Sequence, residues 1–124
     1  MAEEIKKILQ DILTKVPDLH CILITDRDGV SVAKVCTEKA TESGTRFGFI
    51  STFGLAVDQG SKLGLGKTST LICYYSQYQV IQMNKSPLVL TFIASKKCNT
   101  GLIMALENQL EPIISELSMV VAET

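Results

Sequence analysis

The sequence is short of the residues that most chemistry needs. Tryptophan is absent, histidine occurs once (His20), and proline only three times in 124 residues. No two of the four cysteines, Cys21, Cys36, Cys73 and Cys98, lie closer than 15 residues. There is therefore no CxxC pair to hold zinc or run dithiol exchange. Charge of one sign is lacking too: 12 Lys+Arg against 13 Asp+Glu give a net charge of −1. That balance removes the electrostatic case for nucleic acid or an anionic membrane surface. No apolar run approaches the roughly 18 residues of a membrane span. The acidic start, Met1-Ala2-Glu3-Glu4, resembles neither a signal peptide nor a myristoylation site. With no secretory signal, the cysteines are expected as reduced thiols, three of them in apolar runs where Cys acts as a small hydrophobe.

What is present is grease. Hydrophobic residues make up 46% of the chain and charged ones 20%, and the mean hydropathy is +0.25. The length suits one domain over residues 1–124, with a core of its own.

Apolar spacing predicts a helix over 3–16, with Ile5, Ile8, Leu9, Ile12 and Leu13 or Val16 on one face and Glu3–Lys7 as an i, i+4 pair. Pro17 stops it. A strand over 19–25, a turn at Asp26-Arg27-Asp28-Gly29 and a strand over 30–36 form a hairpin with one covered face. A polar loop follows, and a second helix is predicted over 47–63, capped by Thr45 and closed by Gly64-Leu65-Gly66. Its core arc carries Phe49, Ile50, Phe53, Ala56, Val57, Gly60 and Leu63. Strands are predicted over 68–75, 78–84 and 88–94, the last apolar at every position but Thr91, as in a central strand buried on both faces. A final helix, capped by Asn99 or Thr100, carries Leu102, Leu106, Leu110, Ile113, Leu117 and Val120 as its buried stripe, and Pro112 should bend it or begin a fresh turn. The order α-β-β-α-β-β-β-α, with short links, predicts a five-stranded antiparallel sheet in a three-layer α/β/α sandwich.

The sequence holds no complete catalytic motif. Residues 60–68 end like a phosphate-binding loop, but Ser61 stands where its first Gly belongs, and the segment leads from a helix into a strand instead of the reverse. The Asp26–Gly29 turn lacks the third ligand and terminal Glu of a calcium loop. His20, placed just ahead of the first strand, has no partner that would make it a base or a ligand and is expected at the edge of the core. No catalytic, cofactor-binding or metal site is expected, and the chain is not expected to be an enzyme.

What remains is surface. The outer face of the second helix carries Ser51, Thr52, Leu55, Asp58, Gln59 and Lys62, poor in charge for a solvent face. The strand over 68–75 has no charge after Lys67. On a sheet edge it would lack the Lys or Pro that blocks edge-to-edge pairing. Both features point to a subunit interface, assigned to Thr52, Leu55, Ala56, Gln59, Leu63, Thr70, Ile72 and Tyr74.

The order of elements, together with the runs from Ile24 to Val30, Phe49 to Leu65, Ile72 to Tyr75, Tyr78 to Val80, Phe92 to Ser95 and Asn99 to Leu102, resembles the roadblock (dynein light chain) superfamily. Within it the chain is similar to the family of MEK-partner scaffold subunits of the Ragulator complex, over essentially its whole length. The resemblance implies a roadblock/profilin-like fold and a heterodimer with a second roadblock subunit through the second helix and the following edge strand. It further implies other Ragulator subunits, including a lipidated anchor that holds the complex on the cytosolic face of late endosomes and lysosomes. Rag GTPases, amino-acid signalling to the TOR kinase complex, and the kinases MEK and ERK are implied in the same way; nucleic acid and direct membrane insertion are not. The alternative within the superfamily is a homodimer serving as a dynein cargo adaptor or a GTPase regulator.

Overall fold

The computed structural model describes residues 2–37, 62–66 and 68–123. Two helices and five strands run in the order α1 (Ala2–Lys15), β1 (Leu19–Asp26), β2 (Ser31–Cys36), β3 (Thr70–Tyr74), β4 (Tyr78–Lys85), β5 (Leu88–Ser95) and α2 (Thr100–Glu123). Of the helix expected over 47–63, residues 47–61 lie outside the described residues. Lys62, Leu63 and Gly64 form a turn, so Leu63 belongs to a solvent-facing connection and not to a helical core arc.

The strands form one antiparallel sheet in the order β2-β1-β5-β4-β3. The apolar run of β5 occupies the centre, where both neighbours and both faces exclude water. Alternation along β1, β4 and β5 splits their side chains between two faces. On one face Ile22, Ile24, Ile81, Met83, Leu88, Leu90, Phe92 and Ala94 meet Ile5, Leu9, Ile12 and Leu13 of α1 and the buried stripe of α2. On the other lie Cys21, Leu23, Val80 and Ile93, with Cys36 against them. Both described helices therefore share one face of the sheet, and no described element covers the second.

Local signals explain the boundaries. At the α1 exit Asp18 takes a left-handed conformation (φ 68°), and its carbonyl accepts the Ser95 N–H at 2.9 Å, which ties the helix end to β5. The Asp26 carboxylate accepts the N–H groups of Asp28 and Val30, both at 2.9 Å, while Gly29 supplies φ 89°. The turn is thus held by Asx chemistry, as the sequence predicts. The register shifts between Ile24 and Thr25, Val30 and Val32 are solvent-facing, and Val35 is the β2 side chain buried on the covered face. Asn99 caps α2: its carbonyl and side-chain oxygen both accept the Leu102 N–H. The helix continues through Pro112, which sits on its exposed face.

Other expectations need correction. In α2 the buried stripe is Ile103, Leu106, Leu110, Ile113, Ile114 and Leu117, while Leu102 and Val120 are exposed. In α1, Ile8 is exposed and the ion pair is Asp11–Lys15 (2.9 Å). His20 is the second residue of β1, buried edge-on against the Tyr78 ring at 5.9 Å, not ahead of the strand. Last, Cys21 and Cys36 are joined as a disulfide. Their 15-residue separation is closed by the hairpin, which makes them opposite partners in the β1–β2 register. The Thr37 N–H bonds the His20 carbonyl, so the adjacent Cys21–Cys36 pair is non-hydrogen-bonded, the position where opposed side chains come closest. Their Cα atoms are 4.2 Å apart. Cys73 and Cys98 are free thiols. Burial, and then the nearby Asp18 carboxylate, push the Cys98 thiol up, against a backbone hydrogen bond at Asn99 that pulls it down, which leaves it protonated and unreactive.

Candidate functional site

The edge strand β3 is the site's foundation. Among the described residues it pairs with β4 alone, as the last strand of the sheet. The Tyr75 N–H bonds the Tyr78 carbonyl and the Asn84 N–H bonds the Ser69 carbonyl, both at 2.7 Å. Antiparallel pairing alternates, so Ser69, Leu71, Cys73 and Tyr75 turn their backbone groups toward β4. The N–H and C=O groups of Thr70, Ile72 and Tyr74 therefore point off the sheet. Those are the three strand positions that the sequence marks for an interface.

Side chains on this edge suit a partner. Ile72 is 42% exposed and Tyr74 63%, large values for apolar and aromatic groups on a strand, whereas Thr70 is half-buried. No charged residue occurs from Thr68 to Asn84. The opposite edge, β2, carries the exposed Lys34, the ordinary device against edge pairing. Tyr75 lies beside Cys73, and burial followed by that neighbour pushes its phenol above the ordinary value, so it stays neutral through physiological pH. Among the described residues, the edge thus combines outward-facing backbone donors and acceptors, apolar side chains and no charge. That is the chemistry of strand addition.

Before β3, Gly64 (φ 71°) and Gly66 (φ 93°) take conformations that disfavour any residue with a Cβ, and both lie in open space. They turn the chain into a strand and not into a helix, so the phosphate-loop likeness lacks its helix N-terminus. Thr52, Leu55, Ala56 and Gln59 lie outside the described residues, so only Leu63, Thr70, Ile72 and Tyr74 of the expected interface have a described position. Among the described residues no group of three or more His, Cys, Asp or Glu could hold a metal ion. No described helix is long and apolar enough to cross a membrane.

One part of the site was not foreseen from sequence. Gln79, fully buried, accepts the Thr100 hydroxyl at 2.6 Å and donates both amide hydrogens, to the Ser95 and Cys98 carbonyls at 3.1 and 2.8 Å. The Tyr74 and Thr100 hydroxyl oxygens are 2.8 Å apart. The only hint in the sequence is a Gln at the head of an apolar strand, and nothing there names its partners.

Comparison with known proteins places this geometry. The family described as "Mitogen-activated protein kinase kinase 1 interacting" matches residues 3–121. The chain belongs to that family. It is 54% identical to the Ragulator complex protein LAMTOR3 of Tetraodon nigroviridis over 124 residues, the full length of both. It is also 54% identical to the human protein of the same name over 121 residues, 98% of each chain. Among solved structures, the roadblock/LC7 domain from Streptomyces avermitilis superposes with a TM-score of 0.68 at 10% identity, covering 89% of this chain and 97% of that one. A structure titled "MglB with tetrameric arrangement" gives 0.75 at 12% identity over 98% and 90%. The roadblock/LC7 fold expected from the sequence is therefore the fold of this family member, with its antiparallel five-stranded sheet.

Proposed function

We propose that this member of the family is a non-catalytic scaffold subunit of a Ragulator complex, built as a single roadblock-type domain over residues 1–124. It pairs with a second roadblock subunit through the β3 edge and the helix expected over 47–63. Thr52, Leu55, Ala56, Gln59, Leu63, Thr70, Ile72 and Tyr74 form the contact. Further Ragulator subunits, one of them a lipidated anchor, hold it at the cytosolic face of late endosomes and lysosomes. Rag GTPases and the kinases MEK and ERK dock on the assembly, which serves amino-acid signalling to the TOR kinase complex.

Identity of 54% along the full length of proteins named as Ragulator subunits supports this reading. The observation that carries the interface is the uncharged β3 edge with its outward backbone groups and exposed Ile72 and Tyr74. Size-exclusion chromatography with multi-angle light scattering, on the chain alone and co-expressed with the second roadblock subunit, tests the pairing. A one-to-one complex is expected on co-expression. A stable homodimer that ignores the co-expressed subunit contradicts it.

A further inference from the structure

The hydrogen bonds around Gln79 have a direction. The Gln79 side-chain oxygen can only accept, so the Thr100 hydroxyl, 2.6 Å away, must donate to it. A hydroxyl has one hydrogen. Thr100 Oγ1 can therefore only accept from Tyr74, and the 2.8 Å contact is a Tyr74 O–H donating to Thr100. At the other end both Gln79 amide hydrogens are committed to the Ser95 and Cys98 carbonyls. Rotating that amide by half a turn would oppose its NH2 to no acceptor but the Thr100 oxygen and bring its oxygen against two carbonyls. The chain of donors Tyr74 → Thr100 → Gln79 is thus fixed from its buried end outward.

We infer that Gln79 and Thr100 are positioning residues for partner docking, holding Tyr74 in the orientation in which the β3 edge receives the second roadblock subunit. The inference rests on the heterodimer reading above. Tyr74 is the most exposed side chain of β3, 63% accessible, and its backbone is one of the three that face outward. An aromatic side chain of this size is a typical binding anchor, and it costs affinity when it must be ordered at the moment of docking. Here the ring is ordered beforehand by a network whose root, Gln79, is fully buried and fully satisfied. Thr100 is the first residue of α2, directly after the Asn99 cap. The orientation of the anchor is therefore referred to the rigid start of a helix instead of the open strand edge. The partner that fits is an uncharged strand edge with a pocket for a fixed tyrosine ring, not a charged peptide.

A double-mutant cycle on the affinity for the purified second roadblock subunit tests this. Tyr74→Phe and Thr100→Val should each weaken binding roughly 3- to 10-fold, the range for one ordered side chain and its hydrogen bond. The double variant should be no weaker than either single one, because both remove the same link. Thr100→Ser, which keeps the hydroxyl, should bind like wild type. Melting temperatures of the isolated chains report folding separately, and Tyr74→Phe tests the link even if Thr100→Val is unstable. Wild-type affinity for both single variants, or losses that add in the double, overturns the inference alone. A wild-type chain that does not bind the subunit overturns the heterodimer reading and this inference with it.

Discussion

Ile72→Pro should cost the chain its partner and little of its stability. The Ile72 N–H points off the sheet, so proline removes no β3–β4 ladder bond, and its preferred φ suits an edge strand. The residue before it, Leu71, is already extended, as a residue preceding proline must be. Ile72 is 42% exposed in the free chain, so little core is lost. In the complex the same change deletes a donor at the middle of the seam and sets a ring where the opposing strand belongs. An unmet carbonyl there costs about 1–3 kcal/mol before the clash is counted. Affinity for the second roadblock subunit should fall at least ~100-fold, at roughly 1.4 kcal/mol per decade. Calorimetric titration measures the loss, and thermal melting of the free chain should change by only a few degrees. Leu71→Pro is the contrast, because its N–H faces β4 and the variant should be destabilised before any partner is added.

Phe92→Ala should do the reverse. Phe92 is fully buried in the central strand, opposite Ile22 of β1 and Ile81 of β4, and it belongs to the core shared by α1 and α2. Truncation there removes buried apolar area and leaves a cavity that a five-stranded sheet cannot close, a loss of about 3–5 kcal/mol. Domains of this size hold about 5–15 kcal/mol in total. Urea unfolding should therefore show a large drop in midpoint with an unchanged slope. Binding only the native state, the partner restores part of this: at a concentration 100 times its dissociation constant it contributes about 2.7 kcal/mol. The variant should thus still assemble when co-expressed, while Ile72→Pro should not. The pair of substitutions separates folding from assembly.

Much of this was legible in the residues because the signals are local. The Asp26–Gly29 turn, the Asn99 cap and the doubly buried β5 each depend on a few neighbours, and each takes its predicted place. The absence of charge after Lys67 bears on pairing only if that strand is an edge, and the strand order supplies the edge position. What escaped depends on contacts far apart in sequence. Leu102 and Val120 share one line along α2, at about 100° per residue, just beyond the arc centred on Leu110. Only the docking angle on the sheet decides that Ile103 and Ile114 go in and those two stay out. Cys21 and Cys36 become neighbours only once the hairpin register is set, and that register includes a shift no spacing rule announces. The link from Tyr74 through Thr100 to Gln79 joins β3, α2 and β4, so no single segment could reveal it.

Amide hydrogen exchange on the chain, alone and with the second roadblock subunit, bears most directly on the claim that this protein works by adding its β3 edge to a partner's. In the free chain the N–H groups of Ile72 and Tyr74 should exchange quickly while those of Leu71, Cys73 and Tyr75, turned toward β4, are protected. In the complex, protection should extend to Ile72 and Tyr74 and remove the alternation. Should a complex form with those two amides still exchanging at the free rate, the partner sits elsewhere and the β3 edge is not the interface.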